Sequence, residues 1–282
     1  MRRMFMEWYT GKRTVITGGS SGIGKAAAIL VAQAGGHMCI CARDQVRLDA
    51  ALTEIRSHAS SSDQKITGIV LDVADRTRVK TAASDIINQL GGIDILINSA
   101  GIASPGYIQD IPDSVWDSMM QVDYMGTVNV VRAFLPYFIA QKHGNIANIS
   151  SVVGYMGVFG YGAYGPAKFA VTGFSECLRQ ELLPHNVYIS VLFPPDTDTP
   201  QFHEENKIKP EETKVLGGNI KVLPASKVAR ELLRGIAGRR FTILPGAMNK
   251  VTYFLNRHFP WLVWMIVSGD LRKYWKKNKV HS

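Results

Sequence analysis

Near its start the chain runs from a short β-branched stretch, Arg13–Thr17, into Thr17-Gly18-Gly19-Ser20-Ser21-Gly22-Ile23-Gly24, and then into KAAAILVAQAG at 25–35. The first run reads as a strand and the alanine-rich run as a helix. The glycines between them permit a tight turn and close backbone approach. The helix beginning near Gly22 aims its free N–H groups across that turn, where an anion such as a pyrophosphate is stabilised. A strand, a tight turn and a helix in this order make the first half of a βαβ unit, so the next strand lies parallel to the first.

The pattern repeats. Strands are expected at His37–Ala42, 65–71, 93–98, 144–150 and 187–193, and helices at 46–58, 78–90, 115–138 and 167–183, with Pro136 ending or kinking the third of these helices. The strands are mostly apolar, as when both sheet faces are covered. This predicts an α/β fold, a Rossmann-type doubly wound parallel sheet with helices on both faces. No repeat, low-complexity stretch or linker interrupts it, so residues 1–245 read as one dinucleotide-binding domain and 246–282 as a C-terminal extension.

Apolar residues make up 46% of the 282 and charged residues 20%, a balance that excludes a disordered chain. The net charge of +9 lies at the two ends. Arg2, Arg3, Lys12 and Arg13 face only Glu7 in the first segment, and Lys250, Arg257, Arg272, Lys273, Lys276, Lys277 and Lys279 face only Asp270 after residue 240. A neutral body argues against nucleic acid as a partner, and basic ends suit an anionic surface. Cys39, Cys41 and Cys177 have no metal-ligand spacing, so a reducing compartment and no metal are expected. The N-terminus lacks the apolar core of a signal peptide.

The second strand ends at Cys41-Ala42-Arg43-Asp44. A carboxylate at the strand end would hold a ribose 2′-hydroxyl. Here Arg43 follows Ala42, and Arg47 stands one helical turn on, so two guanidinium groups favour a 2′-phosphate and NADP(H). Asp44 reads as a helix cap. Asp72, with Val73 closing the third strand, is a candidate for the adenine amino group or simply a turn carboxylate. The Asn98-Ser99-Ala100-Gly101 turn closes the fourth strand, where Asn98, Ala100 and Gly101 would lie along the cofactor with Gly18, Ser20, Ser21, Gly22, Ile23 and Gly24.

Tyr164 and Lys168 are four residues apart and share a helix face. A nearby ammonium, with an oxidised nicotinamide, would lower the phenol pKa and make Tyr164 a general acid toward a carbonyl oxygen. Ser151 stands just past a strand end, placed to hydrogen-bond the same oxygen.

With TGGSSGIG, NSAG, Ser151 and YGPAK together, residues 10–245 resemble the short-chain dehydrogenase/reductase family. The resemblance implies Tyr164 as acid/base, Ser151 as the orienting hydroxyl, and Lys168 as the group that binds the nicotinamide ribose. The family's active-site Asn falls on Asp123, where a backbone carbonyl would support a proton relay to Lys168. Pro194-Pro195-Asp196-Thr197-Asp198-Thr199-Pro200, with Glu204-Glu205-Asn206 downstream, looks like the branch of the family that reduces 3-ketosphinganine to sphinganine with NADPH. Pro194, Thr197 and Thr199 would then flank the nicotinamide. By the same analogy the helices at 115–138 and 167–183 imply a homo-oligomer.

Residues 196–222 read as a long polar lid loop over the substrate. Glu204 and Glu205 could meet a substrate amino group, although solvated carboxylates are the ordinary reading, and His203 reads as a surface residue. The longest run without polar side chains in the extension, 259–267, is far short of the roughly 20 residues of a spanning helix. Trp261 and Trp264, followed by the basic tail, instead fit a peripheral anchor on the cytoplasmic side of a membrane, the alternative being a helix packed on the body. The substrate would then be a lipidic ketone. Rival readings are reduction of a steroid, retinoid or 3-oxoacyl ketone, and a nucleotide-binding membrane adaptor without turnover.

Overall fold

The computed structural model describes residues 4–218 and 221–278, which leaves Arg2, Arg3, Lys279 and lid positions 219–220 outside the described residues. In chain order the elements are α1 (Met4–Glu7), β1 (Arg13–Thr17), α2 (Gly22–Gln33), β2 (His37–Ala42), α3 (Gln45–Ser57), β3 (Ile66–Val70), α4 (Arg76–Leu90) and β4 (Ile95–Asn98). Then come α5 (Asp113–Met119), a π-helical turn at Met120–Met125, α6 (Gly126–Gln141), β5 (Gly144–Ile149), α7 (Tyr164–Glu181), β6 (Val187–Leu192), β7 (Thr197–Asp198), α8 (Pro200–Ile208) and α9 (Glu211–Gly217). The chain ends with β8 (Leu223–Pro224), α10 (Ala225–Ala237), β9 (Thr242–Ile243), α11 (Ala247–His258) and α12 (Pro260–Asn278).

The main sheet has seven strands in the order β3-β2-β1-β4-β5-β6-β9, all parallel. Strand order reverses between β1 and β4, so the loops after their carboxyl ends diverge and open a crevice there. One apolar layer packs α2, α3 and α10 against the sheet through residues such as Ile16, Ala28, Leu48 and Leu232. The other packs α4, α6 and α7 through Leu96, Ile86, Val130, Phe134 and Leu178. With helices on both faces, β1, β2, β4 and β5 are buried almost throughout.

Three expectations change. The helix expected at 115–138 is broken by the π turn, and Pro136 sits inside α6 without ending it. The lid is not a loop. Thr199 caps α8, its Oγ1 accepting the Phe202 N–H at 3.2 Å, and Pro200 occupies the first helical turn. Pro210 stands at the N-cap of α9 without a side-chain cap, and a short parallel pair, β7 with β8, ties the lid's base. Third, the extension folds as α11 and α12 and packs on the body. Asn249 Nδ2 donates to Phe193 O at 2.7 Å, Tyr155 Oη donates to Asn249 Oδ1 at 2.8 Å, and Trp275 Nε1 donates to Glu212 Oε1 at 3.1 Å.

Candidate active site

The crevice at the β1–β4 reversal is a cleft of about 780 Å³. At one end is the turn after β1. Gly18 has φ +66°, and a Cβ there would stand 2.7 Å from Ala100 N, so the two turns lie backbone against backbone. Ser21 precedes α2 without making a side-chain cap, which leaves the first N–H groups of the helix for an anion. Gly18, Ser20, Ser21, Gly22 and Ile23 line the cleft, and Gly24 instead packs under Gly18, its Cβ position 2.4 Å from Gly18 O. This cradle fits a pyrophosphate.

Arg43 and Arg47 both line the same end. Asp44 caps α3, its Oδ1 accepting the Arg47 N–H at 2.8 Å, so its carboxylate serves the helix. Val73, Ala100 and Gly101 line the cleft. The side chains of Asp72 and Asn98 do not. Asp72 Oδ1 accepts the Ala74 N–H at 2.9 Å, a turn carboxylate, and Asn98 Nδ2 donates to Asn148 Oδ1 at 2.8 Å behind the β4 turn. Pro194, Thr197 and Thr199 form the opposite wall.

At the centre, Tyr164 opens α7 and Ser151 follows β5. Both line the cleft with Lys168. Lys168 is buried, its Nζ donating to Ile149 O at 3.2 Å, 3.7 Å from Asp123 Oδ1 and 5.4 Å from the Tyr164 ring centre. Hydrogen bonds from Ser151 and Gln201 at Tyr164 favour the phenolate, but burial above all, then the charges of Asp123 and Glu205, hold the phenol well above its ordinary pKa. Burial by α7 and the charge of Asp123 beside Lys168 thus oppose the lowering that Lys168 and an oxidised nicotinamide together are expected to bring.

Asp123 lies on the π turn, a geometry that recurs at functional sites. Its side chain is fully buried. Oδ1 accepts the Ile102 N–H at 2.9 Å, and Oδ2 is buried with no hydrogen-bond partner. Burial pushes its pKa up to about 6, and Lys168 restrains the rise. Its backbone carbonyl accepts the Thr127 hydroxyl at 2.8 Å.

At the substrate end the structure adds Gln201 and Lys209, which the sequence reading did not single out, to Glu204, Glu205 and His203. Gln201 on α8 reaches Tyr164, and its Nε2 donates to Glu205 Oε1 at 3.0 Å. Glu204 is exposed against Lys207, while Glu205 is buried, accepting the Tyr161 hydroxyl on Oε2 at 2.8 Å. His203 is exposed and pairs with Asp198 at 2.8 Å. Ile266, Val267 and Asp270 of α12 complete the cleft's outer wall. The signal for Gln201, Glu205 and Lys209 was their i, i+4 spacing, one stripe along a helix.

Residues 12–210 match the short chain dehydrogenase family. The chain is 38% identical over 233 residues to the 3-dehydrosphinganine reductase of Danio rerio, covering 82% of this chain and 70% of that one. It is 36% identical over 225 residues to the 3-ketodihydrosphingosine reductase of Bos taurus, covering 79% and 68%. A short chain dehydrogenase/reductase from Burkholderia phymatum, solved in complex with NAD, superposes with a TM-score of 0.79 at 26% identity, over 90% of this chain and 95% of that one. The sheet order, the phosphate cradle and the Ser151–Tyr164–Lys168 cluster agree with these likenesses, and the chain belongs to the short-chain dehydrogenase family.

Proposed function

We propose that this chain reduces 3-ketosphinganine to sphinganine with NADPH. The observation that carries the reading is one cleft in which a phosphate cradle, the Ser151–Tyr164–Lys168 cluster and an apolar wall from α12 follow one another. The names of the zebrafish and bovine relatives supply the substrate. Arg43 and Arg47, with Asp44 between them engaged as the cap of α3, favour the 2′-phosphate of NADP(H) over NAD(H).

NADPH, when bound, supplies the hydride to the ketone carbon. The Ser151 hydroxyl holds the ketone oxygen, and Tyr164 gives it a proton as the new C–H bond forms. Lys168 stands behind Tyr164 and, with Asp123, forms the path by which that proton is replaced. The roles of Ser151, Tyr164, Lys168 and Asp123, and the cofactor contacts of Gly18, Ser20, Ser21, Gly22, Ile23, Arg43, Arg47, Val73, Ala100, Gly101, Pro194, Thr197 and Thr199, are part of this proposal.

The reading includes a membrane surface as partner. Trp261 and Trp264 are 63% and 67% exposed, and Phe254, Phe259 and Met265 are exposed apolar side chains of the same segment, followed in sequence by the basic Lys273, Lys276 and Lys277. No helix among the described residues is long and apolar enough to cross a membrane. The proposed contact is peripheral, on the cytoplasmic side. In this reading residues 1–245 form the catalytic domain and 246–282 its membrane-facing extension. Exposed Phe169 on α7 supports a homo-oligomer through that helix.

The test is NADPH oxidation by the purified protein with 3-ketosphinganine in detergent micelles, with Tyr164→Phe as the blank. Turnover that the variant loses supports the proposal. Turnover of steroid, retinoid or 3-oxoacyl ketones in its place would replace the substrate, and tight NADPH binding with no turnover of any ketone would leave a nucleotide-binding adaptor.

A further inference from the structure

The lid buries a charged cluster against the catalytic tyrosine. Glu205 is 9% exposed and Lys209 8%, both in the wall of the cleft. Carboxylates are rarely this buried without a purpose that holds them there. Glu205 Oε1 accepts from Gln201 and Oε2 from the Tyr161 hydroxyl, so two donors fix the carboxylate in place. A carboxylate offers about four acceptor positions, and these two bonds leave capacity on both oxygens. Lys209 Nζ stands 4.0 Å from Oε2, beyond hydrogen-bond distance, and lies 4.6 Å from the centre of the Phe202 ring and 5.9 Å from that of Tyr161. One carboxylate and two aromatic faces thus already surround an ammonium group, which is the environment that recognises such a cation.

The cluster is next to the reacting atoms. The Tyr161 ring centre is 5.7 Å from that of Tyr164, and Gln201, whose side chain acts on the Tyr164 hydroxyl, donates to Glu205. With the ketone oxygen on Tyr164 and Ser151, one of the two carbons flanking the ketone can be directed toward Gln201 and Glu205. In 3-ketosphinganine one of those two carbons carries an amino group, protonated at neutral pH.

We propose that Glu205 binds the ammonium group on the carbon next to the ketone, so that the site prefers long-chain 2-amino ketones over ketones of equal length without the amine. Glu205 acts as a specificity-determining residue, Gln201 and Tyr161 fix its orientation, and Lys209 is the ammonium the substrate's own group joins or displaces. Solvated Glu204, adjacent in sequence, has no such part. This inference rests on the reductase reading above and assigns the feature of the substrate that the site recognises.

The experiment compares kcat/KM with NADPH for 3-ketosphinganine and for 1-hydroxyoctadecan-3-one, which has the same chain without the amine. The wild-type protein should favour the amino ketone, and Glu205→Gln should lower the ratio of the two by about 10- to 100-fold, as for loss of a charge-assisted hydrogen bond. Glu205→Asp should recover part of the ratio. NADPH binding, followed by fluorescence, verifies that each variant is folded. If Glu205→Gln does not fold, N-acetylation of the substrate tests the same charge on the wild-type protein and should cost a comparable factor. A ratio near one in the wild type, or a ratio that Glu205→Gln leaves within twofold, overturns the assignment of Glu205 while leaving the reductase reading standing. Turnover of the plain ketone with none of the amino ketone overturns both.

Discussion

Asp123→Asn isolates the most unusual group in the catalytic cluster. The Asp123 carboxyl has a pKa of about 6 against an ordinary 3.8, raised by burial and restrained by Lys168. That difference corresponds to roughly 3 kcal/mol between the charged and neutral forms. Between pH 3.8 and about 6 the folded protein holds this proton and the unfolded chain does not. Stability therefore falls as pH rises through that window, and the full cost is present above about pH 6. Asparagine is neutral throughout, and its Oδ1 can still accept the Ile102 N–H. The stability of Asp123→Asn relative to wild type should accordingly be greater at pH 7.5 than at pH 4.5, by about 2 kcal/mol, because part of the cost is already present at pH 4.5. The loss of the Lys168 contact shifts the absolute value, so the readout is the change in the difference between the two proteins across pH. Urea unfolding followed by tryptophan fluorescence, without added cofactor, measures it. A difference that stays constant within about 0.5 kcal/mol, or that grows as pH falls, refutes the reasoning.

Tyr164→Phe removes the proton donor and should lower kcat by about 10²- to 10⁴-fold with NADPH affinity retained; a loss under tenfold would remove Tyr164 from the acid role. Arg43→Ala with Arg47→Ala should lower the ratio of kcat/KM for NADPH over NADH by about 10- to 100-fold, and an unchanged ratio would mean that neither guanidinium meets a 2′-phosphate. Gly18→Ala places a Cβ 2.7 Å from Ala100 N at a φ of +66°, so it should destabilise by about 1–3 kcal/mol and weaken cofactor binding, read by thermal unfolding with and without NADPH. Trp261→Ala with Trp264→Ala should reduce partitioning onto anionic vesicles in a sedimentation assay by roughly tenfold or more, while ketone turnover in micelles identifies any damage to the fold.

Six of the seven parallel strands were legible as short apolar runs separated by longer amphipathic helices, and the glycine turn after β1 commits the next segment to a helix; α10 and the two-residue β9 were not read. Tyr164, Lys168 and Ser151 were legible through their spacing and converge as expected. Asp123's setting was not. Apolar periodicity carries straight through 115–138, and a single wide π turn leaves almost no trace in that pattern. Asn98 and Asp72 have the residue types of ligands, but Asn98 Nδ2 bonds across the sheet to Asn148 and Asp72 Oδ1 bonds within its own turn, pairings that only the tertiary structure reveals. Glu204 and Glu205 are indistinguishable in composition. Only the seating of α8 against Tyr161 exposes the first and buries the second. The lid's helices announce themselves at Thr199-Pro200 and Pro210-Glu211, but the polarity of the stretch masked those starts. That α12 forms a wall of the cleft depends on tertiary contacts between residues far apart in sequence, such as Trp275 with Glu212, and no local pattern encodes those.

The central claim is transfer of hydride from a nicotinamide to carbon 3 of the sphingoid ketone. Incubation of the protein with 3-ketosphinganine and NADPH deuterated at both C4 positions, with mass spectrometry of the lipid product, tests it directly. The account predicts sphinganine carrying one deuterium at carbon 3, formed in step with NADP⁺ and lost in Tyr164→Phe. Unchanged 3-ketosphinganine beside a different ketone that gains the deuterium, or sphinganine formed without it, would contradict the account.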